Sequence, residues 1–324
     1  MKNNNIAVAG SILVDELNTV SKYPSEGELT QISSVSKAVG GLVPNVGIDL
    51  KKIMPELSVS AIGKIGRDEN GAYVKETLKN SGVNTNMIIE TDDKTSFTQV
   101  ISVSGGQRTF FTYAGASADF GEDDIDFSSL NADILHLGYF LLLDKIDGGD
   151  GVKILKSAKE NGIDTSIDLV SENSDRYKTV LSCLPYTDYL IINELEAGKL
   201  TGIEPEIENI TAIAKKLLRL GVNKKVIIHF PDGSVCASSN GNITALGSYV
   251  LPEGYIKGAT GAGDAFCAGA LAGIAECLSD EEILTLATNC ATMALGTEDA
   301  TSGLKDTKTA KIICRNFERK KLCL

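Results

Sequence analysis

Short apolar runs alternate with segments of helical period along most of the chain. Residues 6–10 form a compact apolar run that reads as a buried strand. Residues 44–53 repeat at helical spacing, with Pro44 near the start, where a missing N–H costs nothing. A strand over 59–65, a helix over 69–81 and a strand over 133–137 follow. The alternation resumes with a helix over 151–160, extended runs at 164–168 and 188–192, helices at 194–200 and 210–220, and an extended run at 225–230. Apolar helical spacing returns at 265–278 and 307–317. This order predicts βαβ units: an α/β, doubly wound fold with a mostly parallel sheet and helices on both faces.

Two stretches break the rhythm. Residues 12–38 and 95–117 are rich in β-branched and polar residues, with a turn at Pro24-Ser25-Glu26-Gly27 and a hairpin around Gly105-Gly106. They are expected to form a small β-sheet lid over residues 12–38 and 95–117. The core then comprises 1–11, 39–94 and 118–324.

Composition narrows the class. The 324 residues are 43% hydrophobic and 23% charged with seven prolines, which suits an ordinary globular core. A net charge of −12 argues against nucleic acid or an anionic membrane surface as partner. It does not oppose ATP, because local amides and a metal ion overcome a global field. The seven cysteines (Cys183, Cys236, Cys267, Cys277, Cys290, Cys314 and Cys323) show no Cys-x-x-Cys spacing, and only His136 and His229 accompany them. They are expected to be reduced thiols, without a zinc site. The start, Met1-Lys2-Asn3-Asn4-Asn5, lacks a signal peptide's apolar run, and the apolar stretch 265–275 is too short for a bilayer. A soluble, cytoplasmic protein with no membrane partner is expected.

The chemistry concentrates at Lys257-Gly258-Ala259-Thr260-Gly261-Ala262-Gly263-Asp264-Ala265-Phe266. Three small residues, Gly261, Ala262 and Gly263, precede a helix. A backbone that thin turns its N–H groups toward an anion, and the helix N-terminus adds partial positive charge. Asp264, in the first turn, would face whatever the amides hold and could take a proton from an attacking hydroxyl. The plain alternative is an aspartate that stabilises its own helix. Asn193 and Glu196, spaced i, i+3 where a strand meets a helix, suit water-mediated magnesium contacts and equally suit a capping box.

Thr260-Gly261-Ala262-Gly263-Asp264-Ala265-Phe266 resembles the C-terminal signature of the ribokinase-like (pfkB) carbohydrate kinases. Gly40-Gly41-Leu42-Val43-Pro44-Asn45 is similar to that family's other signature, and Asn193-Glu194-Leu195-Glu196 to its Asn-x-x-Glu motif. The three occur in the family's order. The resemblance implies an ATP-dependent sugar kinase with Mg²⁺, in which Asp264 is the base and Gly261, Ala262 and Gly263 supply amides to the transferring phosphoryl group. It implies Asn193 and Glu196 near magnesium and phosphate, and Asp15, Gly40, Gly41 and Asn45 on the sugar. Gly233 and Asn289 would lie at the nucleotide.

Departures accompany the likeness. Leu42, Val43 and Pro44 replace the commoner Lys-Gly-Ala inside the first signature, and His229 and Pro231 replace residues of the nucleotide segment. Gly258 stands where the family often carries a potassium-binding aspartate, so strong potassium activation is not expected. In the lid, Phe97, Phe110, Phe111 and Tyr113 would either wall the substrate pocket or pack the sheet. Arg108 would meet a substrate anion or simply solvent, and Arg67-Asp68 either matches a family loop or serves structure alone. A nucleoside kinase or an inactive sugar or nucleotide sensor are the rival readings. A dinucleotide oxidoreductase is excluded by the lack of Gly-x-Gly-x-x-Gly after the first strand. The lid's open face offers a surface for a homodimer.

Overall fold

The computed structural model describes residues 4–103, 108–171 and 176–322. Strand β1 (Asn5–Ala9) leads to β2 (Leu13–Val20), β3 (Ile32–Gly40) and helix α1 (Leu42–Ile53). Then come β4 (Ser58–Gly66), α2 (Glu69–Asn80), β5 (Asn84–Thr91), β6 (Ser96–Val103) and β7 (Arg108–Tyr113). The second half runs β8 (Ile134–Phe140), α3 (Gly151–Glu160), β9 (Asp164–Leu169), β10 (Tyr189–Asn193), α4 (Glu194–Thr201), α5 (Ile210–Arg219) and β11 (Lys225–Phe230). It closes with β12 (Gly233–Ser238), β13 (Ile243–Gly247), α6 (Ala262–Ala275), α7 (Asp280–Leu295) and α8 (Thr307–Cys314).

Nine strands form the main sheet, in the order β13-β12-β11-β10-β9-β8-β1-β4-β5. The seven from β11 to β5 pair in parallel, and β12 and β13 finish one edge antiparallel. Side chains alternate between two cores. Ile6, Val8, Tyr189 and Ile191 pack beneath α1, α2, α6 and α7. Ala7, Ala9, Leu190 and Ile192 pack beneath α3, α4 and α5. A strand covered on both faces must be apolar throughout, which is why these runs are continuous rather than alternating. Helix α5 faces only one core, and its buried positions Ile210, Ile213, Ala214 and Leu217 keep a clean helical stripe. Helix α6 is buried from Asp264 to Ala275 and has no polar face. Among the described residues no helix is long and apolar enough to cross a membrane.

Three strands escaped the sequence reading. β12 is made of small residues, β13 is short, and β5 starts Asn-Thr-Asn at a half-exposed edge. Helix α1 begins two residues before the expected start, which puts Pro44 third, still among the N–H positions without an intrahelical partner. Helix α6 starts at Ala262 rather than 265, and α8 stops at Cys314 rather than 317.

The lid sheet has the order β3-β2-β6-β7, with β2 and β6 parallel and both outer pairs antiparallel. The expected Gly105-Gly106 turn lies outside the described residues. Where the chain crosses into the lid, Asp68 caps α2 by accepting the Gly71 N–H at 2.8 Å. It also accepts the Thr95 N–H at 2.9 Å and hydroxyl at 2.6 Å. These bonds hold its carboxyl below the usual range against the upward effect of burial. Asp68 therefore has a structural job, and Arg67 pairs with Asp92 beside it.

Asp49 on α1 is a defect in this core. It is fully buried, and neither carboxylate oxygen has a hydrogen-bond partner among the described residues. Burial, then the nearby Asp264, push its carboxyl well above the usual value, with Lys52 opposing. A carboxyl whose folded-state value is raised binds a proton that the unfolded chain releases, so it costs stability as pH rises above about 4. Replacing it with Asn removes that cost. In urea unfolding from pH 4 to 7, Asp49→Asn should gain on the wild type by up to about 1.4 kcal/mol per pH unit, until the folded-state value is passed. Parallel pH profiles for the two proteins would refute a protonated Asp49.

Candidate active site

The N-terminus of α6 is shaped by one residue. Gly261 caps it with φ 76°, in the left-handed region, and a Cβ there would lie 2.5 Å from the Ala300 Cα. Only glycine satisfies both conditions. The Ala262 N–H donates to Ala259 O at 3.3 Å, whereas those of Gly261 and Gly263 have no partner among the described residues. Two of the three expected amides are therefore available to an anion, at the positive end of the helix.

Asp264 is the third residue of α6 and is almost wholly buried. One oxygen accepts the Asn45 side-chain N–H at 2.9 Å, and the Tyr139 hydroxyl lies 3.0 and 2.9 Å from the two oxygens. Burial, then the charge of Asp168, raise its pKa to about 6, while the bonds from Asn45 and Tyr139 pull it down. The carboxylate is thus poised to take up and release a proton near neutral pH. Asn45 comes from α1 and Asp264 from α6, so packing of these two helices builds the pair.

Tyr139 is a site residue that the sequence reading missed. It lies near the end of β8, beside Phe140, and looks like one more core aromatic. Its backbone has φ 59°, unusual for a non-glycine residue, and its N–H donates to Asp168 Oδ1 at 2.7 Å. That carboxylate, from the end of β9, holds the bend that aims the hydroxyl at Asp264. The signal available in the sequence was the pairing of an aspartate at one strand end with an aromatic at the neighbouring one.

A cleft of about 660 Å³ opens in front of Asp264. Gly261, Gly263, Asn193, Glu196, His229 and Phe110 are among the residues lining it. Asn193 and Glu196 form a full capping box on α4: Asn193 Oδ1 accepts the Glu196 N–H at 2.9 Å, and Glu196 Oε2 accepts the Asn193 N–H at 3.0 Å. Ser171 ties the two side chains together, donating to Glu196 Oε1 at 2.8 Å and accepting from Asn193 Nδ2 at 2.7 Å. Burial foremost raises the Glu196 carboxyl to about 7.

A second cavity, of about 690 Å³, adjoins the first and shares Asn193, His229 and Gly263 with it. Pro231, Gly233, Tyr249, Ile256 and Leu295 give it a largely apolar wall. Asn289 does not line it; it accepts the Tyr249 hydroxyl at 2.8 Å from behind. His229, whose ring stacks on Phe266 at 4.7 Å, is kept neutral by burial, which lowers its pKa to about 4.

The residues expected on a sugar lie on the lid side. Asp15 sits on β2 against Gly40, whose Cβ would come 2.4 Å from Asp15 Oδ2. Burial raises the Asp15 carboxyl to about 6. Gly41 is the cap of α1. Of this group, Asn45 touches the buried carboxylate; Asp15, Gly40 and Gly41 do not line the cleft. Arg108 at the start of β7 reaches across from the lid to donate to the Thr260 hydroxyl at 3.0 Å. Phe110, two residues on, faces the cleft, so Phe111 points away from it.

Comparison with known proteins places the chain in a family. A family model described as pfkB family carbohydrate kinase matches residues 3–307. The probable chloroplastic fructokinase-6 of Arabidopsis thaliana is 29% identical over 291 residues, covering 85% of this chain and 72% of that protein. A ribokinase of Arabidopsis thaliana is 24% identical, over 94% of this chain and 79% of its own. The structure of Arabidopsis thaliana ribokinase complexed with ribose and ATP superposes with a TM-score of 0.83 at 23% identity, over 97% of this chain and 99% of that one. The chain belongs to the pfkB family of carbohydrate kinases.

Proposed function

We propose that this carbohydrate kinase transfers the γ-phosphoryl group of ATP to a sugar hydroxyl, with Asp264 as the base. The observation that carries the reading is that two cavities meet at Gly263, on the N-terminus of α6, with Asp264 in one of them. The largely apolar cavity suits a nucleotide base, and the cleft beside Asp264 suits a polyol. Its phosphates would then cross the free amides of Gly261 and Gly263. Asp264 removes the proton as the hydroxyl oxygen bonds to phosphorus and the bond to the ADP oxygen breaks. The amides meet the charge that builds on the transferring oxygens, and this preorganisation supplies much of the rate. Asp15, Gly40, Gly41 and Asn45 are assigned to the sugar, and Gly233 and Asn289 to the nucleotide side, Asn289 acting through Tyr249.

Magnesium is the expected companion of ATP. Both Glu196 oxygens already accept hydrogen bonds, so Asn193 and Glu196 fit an ion that keeps its own waters, contacted from outside. When bound, it would neutralise phosphate charge. The contact from Arg108 to Thr260 closes the lid on the signature loop, and a closed lid excludes water that would waste ATP. The opposite lid face carries exposed Val35 and Phe111 and is proposed as a dimer surface. Phe110 in the cleft favours one other acceptor, a nucleoside, whose base would stack on that ring.

Mg²⁺-dependent ADP formation should appear with one member of a panel of sugars, sugar phosphates and nucleosides. Asp264→Asn should fold and lose turnover by several decades; near-normal turnover would remove the base. Turnover with nucleosides alone would select the second acceptor class. The rate should fall as pH drops through about 6, where Asp264 takes its proton. Tyr139→Phe removes a bond that favours the ionised form, so the fall should move to higher pH in kcat/KM; an unmoved profile would separate Tyr139 from the base. With Gly258 in place of a carboxylate, exchanging sodium for potassium should leave the rate unchanged within a factor of about two.

A further inference from the structure

A second group of reactive side chains lies at the floor of the cleft, and the proposed phosphoryl transfer draws on it only through the hold of Asp168 on Tyr139. His136 on β8, Asp168 at the end of β9 and Cys267 on α6 are all buried, and their ligand atoms lie within 4.8 Å of one another. Cys267 is one turn along the helix from Asp264. Asp168 and Cys267 line the cleft, so the cluster is reached from it.

The arrangement has a direction. His136 Nδ1 meets the Ser166 hydroxyl at 3.0 Å, which leaves Nε2 for the other two groups. Cys267 Sγ is 3.5 Å from Nε2, and Asp168 Oδ2 is 3.7 Å from the same nitrogen. In a nucleophilic Cys-His-Asp triad the carboxylate would sit on the far ring nitrogen, orienting the histidine. Here cysteine and aspartate converge on one nitrogen, so the relay is ruled out by geometry. Three donor atoms within 4.8 Å of one another are close enough to share a single ion. A tetrahedral ion with Zn–N and Zn–S bonds of ordinary length needs nitrogen and sulfur about 3.5 Å apart, and nitrogen and oxygen about 3.3 Å apart.

Two further features point to an ion. Asp168 Oδ1 is anchored by the Tyr139 N–H at 2.7 Å, whereas Oδ2, on a residue only 7% exposed, has no hydrogen bond among the described residues. Asp168 and Asp264 bring two carboxylates into one buried region, and neither forms an ion pair with lysine or arginine among the described residues. The Ser166 and Tyr139 contacts are the outer bonds that fix ligating groups in orientation.

We propose that His136 Nε2, Asp168 Oδ2 and Cys267 Sγ bind a thiophilic divalent cation of the zinc class, with the fourth position open to the cleft. Nitrogen and sulfur donors select such an ion over magnesium, which prefers oxygen. Binding exchanges the thiol proton of Cys267 for the metal and releases that proton to solvent. This revises the expectation, drawn from cysteine spacing, that the chain holds no zinc site: the ligands come from three separate elements.

The test needs no kinase activity. Equilibrium dialysis of the metal-free chain against Zn²⁺ should give one tight equivalent that excess Mg²⁺ does not displace. Co²⁺ in its place should give the near-ultraviolet thiolate-to-cobalt band and the visible bands of a tetrahedral ion. Cys267→Ser should abolish the thiolate band, and His136→Gln should weaken binding more than about tenfold, with circular dichroism checking that each is folded. A wild-type cobalt complex without the thiolate band would overturn the proposal, even if the variants fail to fold. Unchanged zinc binding in folded Cys267→Ser would overturn it equally.

Discussion

A carboxylate must be held out of water at the positive end of a helix, close to where an anion is to sit. Burial alone would neutralise Asp264, and full solvation would leave it too weak for the base role proposed for it. Hydrogen bonds from Asn45 and Tyr139 offset the burial and leave its pKa near 6. Each donor comes from a different element, so α1, β8 and α6 must all be in register before the carboxylate is correctly set. Asp168 extends the requirement to β9, because it fixes the bend that aims Tyr139.

The same demand explains the shape of the core around α6. A helix whose N-terminus faces a cleft while its body is covered on every side can have no polar stripe, and Asp264 to Ala275 is accordingly buried. The sheet presents its strand ends to this cleft: Tyr139, Asp168 and His229 are next to last in β8, β9 and β11, and Asn193 ends β10. The proposed site thus sits at the carboxyl ends of parallel strands, outside the sheet, where loops can vary without disturbing the layers.

Much of this was legible from residues alone. The doubly wound layout followed from apolar runs that stay apolar across a whole strand, as in β10 and β11. The α6 signature was legible because glycines that close a turn leave a visible spacing. Tyr139 was hidden because its role depends on a bent backbone and on Asp168, 29 residues away, and no local pattern records either. The capping box at Asn193 and Glu196 was open to two readings, and the structure forms the box while leaving both side chains on the cleft. Asp49 was invisible for the opposite reason: on a helix of good period, an aspartate reads as solvent-facing, yet tertiary packing covers it.

We propose that the phosphoryl group is transferred at the N-terminus of α6 with Asp264 as the base. The most direct measurement is a crystal structure of the chain with ADP, Mg²⁺, a planar phosphoryl mimic such as aluminium fluoride, and the sugar that supports turnover. The mimic should lie within hydrogen-bond distance of the Gly261 and Gly263 amides, with the acceptor hydroxyl on Asp264. A mimic bound away from these amides, or a hydroxyl facing another residue, would contradict it.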